Sequence, residues 1–330
     1  MDSKAVLAAV LPVYLLILAG AALRKLGVLK KEQDEPIFHL VFSILYPCFI
    51  LDKMLGSESV RHWTPVVWGL GVGFGITVIS FAVTWLAAGL MGFQKGGGRR
   101  TFTLTAGVQN FGYTAVPVVE QIWTKAALPM LFVHNFGVEF AIWSVGVMIL
   151  SAEKKVQWRK LVNGPVIALL LGLILVGTRV DRFLPAEILD LKEINLHDGT
   201  LWMGGIIRKT IAWLGGGAFP VAILVTGAVM SDMIGHERPS PYVMIAGCVT
   251  RLAFLPCLLL AAAKYLPAPV DLKQVLIVQA AMPSAMTPIM LARIYGGRPA
   301  IAAQIVIATT VVSICTVPLV IVWGRQWVGL

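Results

Sequence analysis

Two stretches of the sequence decide the fold: TFTLTAGVQNFGYTAVPVVEQIW at residues 101–123 and QVLIVQAAMPSAMTPIMLARIYGGRP at residues 274–299. Each is apolar and long enough to cross a bilayer, yet Pro117 interrupts the first, and Pro283 and Pro288 interrupt the second. A proline lacks a backbone donor and clashes with the carbonyl four residues earlier, so both patterns predict broken membrane helices. In lipid, the freed carbonyls must be satisfied by protein or by a watery cavity.

Polar side chains around these prolines are able to satisfy the freed backbone groups. They are Gln109, Asn110 and Thr114 in the first stretch, and Gln279, Ser284 and Thr287 in the second. Interrupted segments at corresponding places in two halves are typical of the binding site of a secondary transporter. We therefore predict that these six residues and the three prolines bind substrate. Two merely kinked helices are the alternative.

The composition indicates an all-α polytopic membrane protein. The chain is 58% hydrophobic and 13% charged, with a mean hydropathy of +0.82. Its net charge of +10 comes from short basic clusters between apolar spans, so we do not expect nucleic acid as a partner. The four cysteines lie in apolar segments without metal-ligand spacing, so no metal or cofactor is predicted.

Hydropathy predicts ten membrane spans in two five-helix repeats. The spans are 5–23, 36–55, 64–92, 101–122, 127–150, 162–180, 206–233, 240–264, 271–294 and 299–323. Pro47 and Pro220 match at an offset of 173 residues, and Pro117 and Pro288 at 171. With five spans in each half, the second half is inverted. The predicted parts are 1–150 (first repeat), 151–198 (loop, sixth helix and long outer loop) and 199–330 (rest of the second repeat).

Basic residues in the first half predict the orientation. The first, third and fifth loops carry eleven lysines and arginines: Arg24, Lys25, Lys30, Lys31, Lys95, Arg99, Arg100, Lys154, Lys155, Arg159 and Lys160. The opposite side carries four, namely Lys4, Lys53, Arg61 and Lys125. The positive-inside rule then places the N-terminus outside the cytoplasmic membrane.

Ionisable residues inside spans are candidates for proton coupling or for structural pairing. The fifth span contains His134, Asn135 and Glu139, and the eighth contains Arg251. An Arg251–Glu139 pair is one arrangement that the spacing permits. We find no nucleophile–base constellation and no ATP-binding domain, so neither an enzyme nor a primary pump is predicted.

Four motifs resemble the auxin efflux carrier family, which includes plant PIN carriers and bacterial permeases and is related to the bile-acid, arsenite and riboflavin transporters. They are VQNFGYTAVP, GPVIALLLGL, FPVAILVTGA and VQAAMPSAMTPIMLARIYG. The resemblance covers essentially the whole chain and implies a bacterial-type member. The long loop of PIN carriers between the fifth and sixth helices is missing here, so regulation through that loop is not expected.

The resemblance implies ten helices in two inverted repeats, with helices 4 and 9 crossing at prolines. It implies a scaffold domain (helices 1, 2, 6 and 7) and a transport domain (helices 3–5 and 8–10). Small organic anions bind at the crossing in that family, and its Asn-x₆-Pro pattern falls on Asn110 and Pro117. We expect an elevator-type or rocking transporter of a carboxylate, working as a homodimer among membrane lipids, with H⁺ or Na⁺ coupling open.

Two other interpretations remain. One is a sodium-coupled carrier of the bile-acid type, which sodium dependence of uptake would identify. The other is a non-transporting sensor or a channel, which saturable flux with counterflow would exclude. We expect two half-helix N-termini to face an anion at the crossing, without a fixed cation there.

Overall fold

The fold is entirely helical within the residues that the computed structural model describes, which are 3–94, 96–123, 127–151, 162–183, 202–234 and 239–330. One isolated bridge joins two extended residues, and these ranges contain no β-strand. The predicted all-α class is therefore confirmed. Residues 152–161 of the predicted loop between spans five and six, and residues 184–201 of the predicted outer loop 181–205, lie outside the described residues.

Apart from a short 3-10 turn at Val180–Phe183, twelve helices follow one another along the described chain. They are α1 (Ser3–Lys25), α2 (Lys31–Met54), α3 (Trp63–Leu90), α4 (Gly97–Gly107), α5 (Ala115–Ile122), α6 (Ala127–Ser151), α7 (Gly164–Gly177), α8 (Trp202–Gly216, continued by Ala218–Met233), α9 (Pro241–Tyr265), α10 (Val270–Ala281), α11 (Thr287–Ile294) and α12 (Pro299–Val328). Seven described helices are long and apolar enough to span a membrane: α1, α2, α3, α6, α8, α9 and α12. The protein is thus a polytopic membrane protein.

The other three predicted spans have different forms. The sixth is the short apolar helix α7, whereas the fourth is split into α4 and α5, and the ninth into α10 and α11. The two predicted helix breaks are therefore present. Ten membrane crossings arranged as an inverted repeat stay a prediction.

Two prolines inside long helices, Pro47 and Pro256, are accommodated by local widening of the turn. A π-helical turn, Val41–Leu45, precedes Pro47 in α2, and another, Thr250–Phe254, precedes Pro256 in α9. Each proline removes the hydrogen bond to the carbonyl four residues earlier, which lies inside the wide turn. Both helices thereby remain continuous.

Glycines let two pairs of helices come into backbone contact. A methyl group added at Gly20 of α1 would overlap the carbonyl of Leu224, and one at Gly227 of α8 would overlap that of Ile17. Gly73 of α3 and Gly137 of α6 lie equally close to the opposite backbone. Small residues at such crossings are the usual basis of tight packing between membrane helices.

Ion pairs join the ends of α1, α2 and α8. On one face, Arg24 of α1 lies 2.5 Å from Asp34 of α2 and 3.2 Å from Asp232 of α8. On the opposite face, Arg208 of α8 pairs with Asp52 of α2.

Arg61, in the loop before α3, donates two parallel hydrogen bonds of 3.0 and 2.9 Å to the buried Asp181, which follows α7. Hydrogen bonding to Asp181 raises the pKa of the Arg61 guanidinium. The loop before α3 is thereby fixed to the end of α7.

Candidate functional site

The first helix break lies at residues 108–114, just before Pro117. The helix α4 ends at Gly107, Val108 is extended, and α5 starts at Ala115, so that Pro117 falls in its first turn. A proline is readily accepted there because first-turn N–H groups have no partner within the helix. The sequence therefore located the correct segment, but the break precedes the proline.

The second break covers residues 282–286 and contains Pro283. The helix α10 ends at Ala281, and α11 starts at Thr287 with Pro288 as its second residue. As in α5, a proline occupies the first turn after the break.

The two breaks pair with each other as a short antiparallel bridge. The backbone N–H of Asn110 donates to the carbonyl of Pro283 at 2.7 Å, and that of Ala285 donates to Val108 at 3.0 Å. Gln109 and Ser284 lie opposite each other at the centre. We call this pair of breaks the crossing. Each break thus satisfies backbone groups that the other exposes, as an apolar environment requires.

Side-chain amides satisfy a further carbonyl of the first break. Asn135 of α6 donates through Nδ2 to the carbonyl of Phe111 at 2.9 Å. Gln279 donates through Nε2 to Asn135 Oδ1 at 3.0 Å and to the same carbonyl at 3.4 Å. The break is therefore bound to α6 and α10.

Arg251 supplies a cation to the crossing, contrary to the expectation that none is fixed there. Its side chain is fully buried, and it donates to the carbonyls of Met282 at 3.1 Å and Gln279 at 3.3 Å. Among the described residues it forms no ion pair with Glu139, so the arrangement suggested by the sequence is not present. Arg251 and these carbonyls lie on different helices, and the spacing of residues in the sequence does not predict such a contact.

Several buried polar atoms at the crossing have no hydrogen-bonding partner within the described chain. They are Nε2 of Gln109, Oγ of Ser284, Nη1 of Arg251 and Oε1 of Gln279. Buried polar groups are normally paired, because an unpaired one costs about 1–3 kcal/mol. The crossing therefore has unused hydrogen-bonding capacity, most of it in donors.

The other predicted residues lie around this centre. Thr114 is buried at the N-terminus of α5, and Thr287 begins α11. His134 is fully buried in α6, with its backbone against Gly73 of α3. Glu139 lines a small cavity of about 20 Å³, together with Asn135 and Tyr46. A proton-coupling role for His134 or Glu139 stays a prediction.

A larger cavity of about 260 Å³ borders α5, the helix that follows the first break. It lies between α1, α2, α5 and α8 and reaches Pro117. Charged side chains in its wall are Asp52 and Lys53 of α2 and Glu120 of α5. Lys53 Nζ lies 2.7 Å from Glu120 Oε1, whereas Asp52 pairs with Arg208.

Comparison with known proteins gives a match to the family described as membrane transport protein, over residues 5–155 and 147–321. The chain belongs to this family. The resemblance to auxin efflux carriers that the motifs predicted is thereby confirmed. This membrane transport protein is also similar to an uncharacterized transporter of Methanothermobacter thermautotrophicus (strain Delta H), at 23% identity over 94% of this chain and 95% of that protein.

Sequence reasoning missed several residues of this membrane transport protein that meet at the crossing and the cavity. Thr309 of α12 accepts a hydrogen bond through Oγ1 from the backbone N–H of Ser284 at 3.2 Å. Lys53 was counted as an outer-side basic residue, but it lies within α2, and Glu120 lies within α5. An ionisable residue inside a membrane span is a recognisable sign of a functional site. Lys53 and Glu120 both carried this sign.

Proposed function

We propose that this protein is a secondary transporter that moves a small organic anion, a carboxylate, across the cytoplasmic membrane by alternating access. The observation that carries this proposal is the pair of broken helices whose breaks meet. Transporters build their substrate sites from such discontinuous helices, where unwound backbone lines the site. Family membership supports transport as the general activity.

The unpaired donors at the crossing support an anionic substrate. Gln109, Ser284 and Arg251 each hold a buried donor without a partner among the described residues. A carboxylate accepts hydrogen bonds through two oxygens, and bonds from charged donors are the stronger ones. Arg251 adds a positive charge that favours an anion over a neutral solute.

The starts of α5 and α11 add further favourable charge. Each follows a break, and in the described chain neither has a side-chain cap at its N-terminus. The N-terminal end of a helix carries partial positive charge and free N–H groups. Both helix ends therefore suit the carboxylate that we propose as substrate.

For the motion, we propose two bodies that slide or rock against each other. The ion pairs that join α1, α2 and α8, together with the close α1–α8 contact, support a fixed scaffold of α1, α2, α7 and α8. The crossing and its supports lie on α4–α6 and α9–α12, which with α3 form the moving body. Each body contains helices from both proposed inverted repeats, residues 1–150 and 151–330. The N-terminus of the chain lies outside in this proposal.

The first prediction concerns Asn110, which lies on the bridge between the two breaks. Its backbone N–H is bonded, but its amide has no hydrogen-bonding partner in the described part of the chain, and it is 9% exposed. We expect Asn110→Ala to weaken carboxylate binding about tenfold, the loss of one good hydrogen bond to a charged group. Thermal stabilisation by malonate, propionate and indole acids, with and without sodium, measures this.

Gln304→Ala is the matched control, because Gln304 lies in α12 away from the crossing and accepts a hydrogen bond from the backbone N–H of Ser240. Equal stabilisation of Asn110→Ala, Gln304→Ala and wild type by every carboxylate would refute this site. Uptake into proteoliposomes is the companion measurement. Flux without saturation or counterflow would refute alternating access.

A further inference from the structure

One ion pair joins the proposed scaffold to the proposed moving body. Lys53 belongs to α2 and Glu120 to α5, and their charged atoms lie 2.7 Å apart. The other ion pairs formed by the described residues lie within the scaffold helices or the loops that flank them. This pair is therefore placed where a relative movement of the two bodies must break it.

The pair also lies in the wall of the 260 Å³ cavity. The side chains of Lys53 and Glu120 are 30% and 38% exposed, so water reaches both. An exposed ion pair contributes little stability, roughly 0–1 kcal/mol. Another carboxylate is therefore able to compete with Glu120 for the ammonium group.

Neighbouring side chains of α2 hold the ammonium group of Lys53 in place, whereas its ion-pair partner Glu120 is able to exchange for another anion. Its Nζ lies 5.2 Å from the ring centre of Phe49, which also lines the cavity. The nearby carboxylate of Asp52, at 3.5 Å, is bonded to Arg208 and belongs to the scaffold. Glu120 alone among the carboxylates facing Lys53 lies on the other body.

We propose that Lys53 is an anion-binding residue of the 260 Å³ cavity and that Glu120 is its built-in competitor. A substrate carboxylate displaces the Glu120 carboxylate from Lys53. This displacement releases α5 from α2 and makes movement of the crossing dependent on an anion. The inference rests on the proposed function and adds a residue pair that lies outside the crossing.

The two residues have opposite effects in this proposal, whereas a purely structural ion pair would give them the same effect. Removing the competitor in Glu120→Gln leaves Lys53 free, and carboxylates then bind about two- to fivefold more tightly. Removing the cation in Lys53→Gln deletes a charged contact, and binding weakens about tenfold.

The experiment is thermal stabilisation of the purified full-length protein by malonate and propionate at constant ionic strength. Lys209→Gln is the control, because Lys209 lies in α8 next to Arg208 but outside the cavity wall, with its ammonium over the ring of Trp213. It removes the same charge as Lys53→Gln. We expect its midpoint of stabilisation to match that of wild type.

The inference is overturned if Lys53→Gln and Glu120→Gln shift the binding midpoint in the same direction, or if both match Lys209→Gln. It is equally overturned if neither acid stabilises Glu120→Gln, in which Lys53 has lost its competitor. Failure of transport gives a different result: the binding shifts appear as expected, but proteoliposomes show no saturable flux.

Discussion

At the scale of single residues, two asparagines at the crossing have contrasting environments. Asn135 connects the carbonyl of Phe111 to Gln279 and is 4% exposed. Asn110 lies on the bridge between the breaks, and its side chain makes no hydrogen bond to another described residue. The first asparagine therefore supports the structure, and the second is available to a ligand.

Replacing Asn135 by leucine is expected to destabilise the protein. The carbonyl of Phe111 would keep only the 3.4 Å contact with Gln279, and the Gln279 amide would lose its closer acceptor, Asn135 Oδ1. An unpaired buried polar group costs about 1–3 kcal/mol, so the apparent melting temperature falls by several degrees. Asn110→Ala is the control in the same thermal unfolding experiment, and an equal loss in both variants would contradict this division of roles.

The sequence predicted most residues of the crossing, because polar side chains near a proline in an apolar span are rare and costly. Gln109, Asn110, Gln279 and Ser284 do come together. The position of Arg251 at the crossing and the partnership of Lys53 with Glu120 were not predictable. Each depends on how distant helices rotate and slide against each other, which hydropathy alone does not determine.

At the scale of helices, the glycines of α3 are of two kinds: one is needed for close packing, and two are not. Gly73 contacts the backbone of α6, whereas Gly71 and Gly75 have open space where a side chain would extend. A larger residue at Gly73 must therefore push α3 and α6 apart. At the two other positions, alanine meets no obstacle and is a better helix former.

We expect Gly73→Leu to destabilise or abolish the folded protein, and Gly71→Ala and Gly75→Ala to stabilise it by about 0.5–1 kcal/mol each. Overpacking at a backbone contact costs more than it does in a core that can adjust. Thermal unfolding in detergent and the monodisperse yield on size exclusion measure both effects. A well-folded Gly73→Leu would show that the α3–α6 contact is not tight.

Helix ends were predictable to within a few residues for the long spans, because lipid sets their length and apolar character. The first break was placed too late in the chain, at Pro117, whereas Pro283 does lie inside the second break. Pro117 and Pro288 open the helices after the breaks, where a missing N–H has no cost. A proline therefore indicates that a break is near without giving its position.

At the scale of the whole molecule, the two proposed bodies make a testable mechanical prediction. With the native cysteines Cys48, Cys248, Cys257 and Cys315 replaced, a short bis-maleimide between Lys53→Cys and Glu120→Cys would join α2 to α5. We expect this cross-link to stop the carboxylate flux that the same double-cysteine variant shows in proteoliposomes before cross-linking, because the bodies can no longer move apart.

The matched control joins Arg24→Cys to Asp34→Cys, whose side chains pair at 2.5 Å within the scaffold. Flux that survives this second cross-link but not the first supports a boundary between α2 and α5. Flux that survives both would place the moving boundary elsewhere.

The bridge between the two breaks has a consequence for biosynthesis. Val108 and Asn110 belong to the first half of the chain, and their partners Pro283 and Ala285 to the second. While a ribosome is still translating the middle of the chain, the first break is already in the membrane without its partner. Its backbone groups must be kept hydrated or covered by the insertion machinery until the later helices arrive. The crossing is therefore completed late in biogenesis, and a truncated chain that has inserted correctly still lacks it.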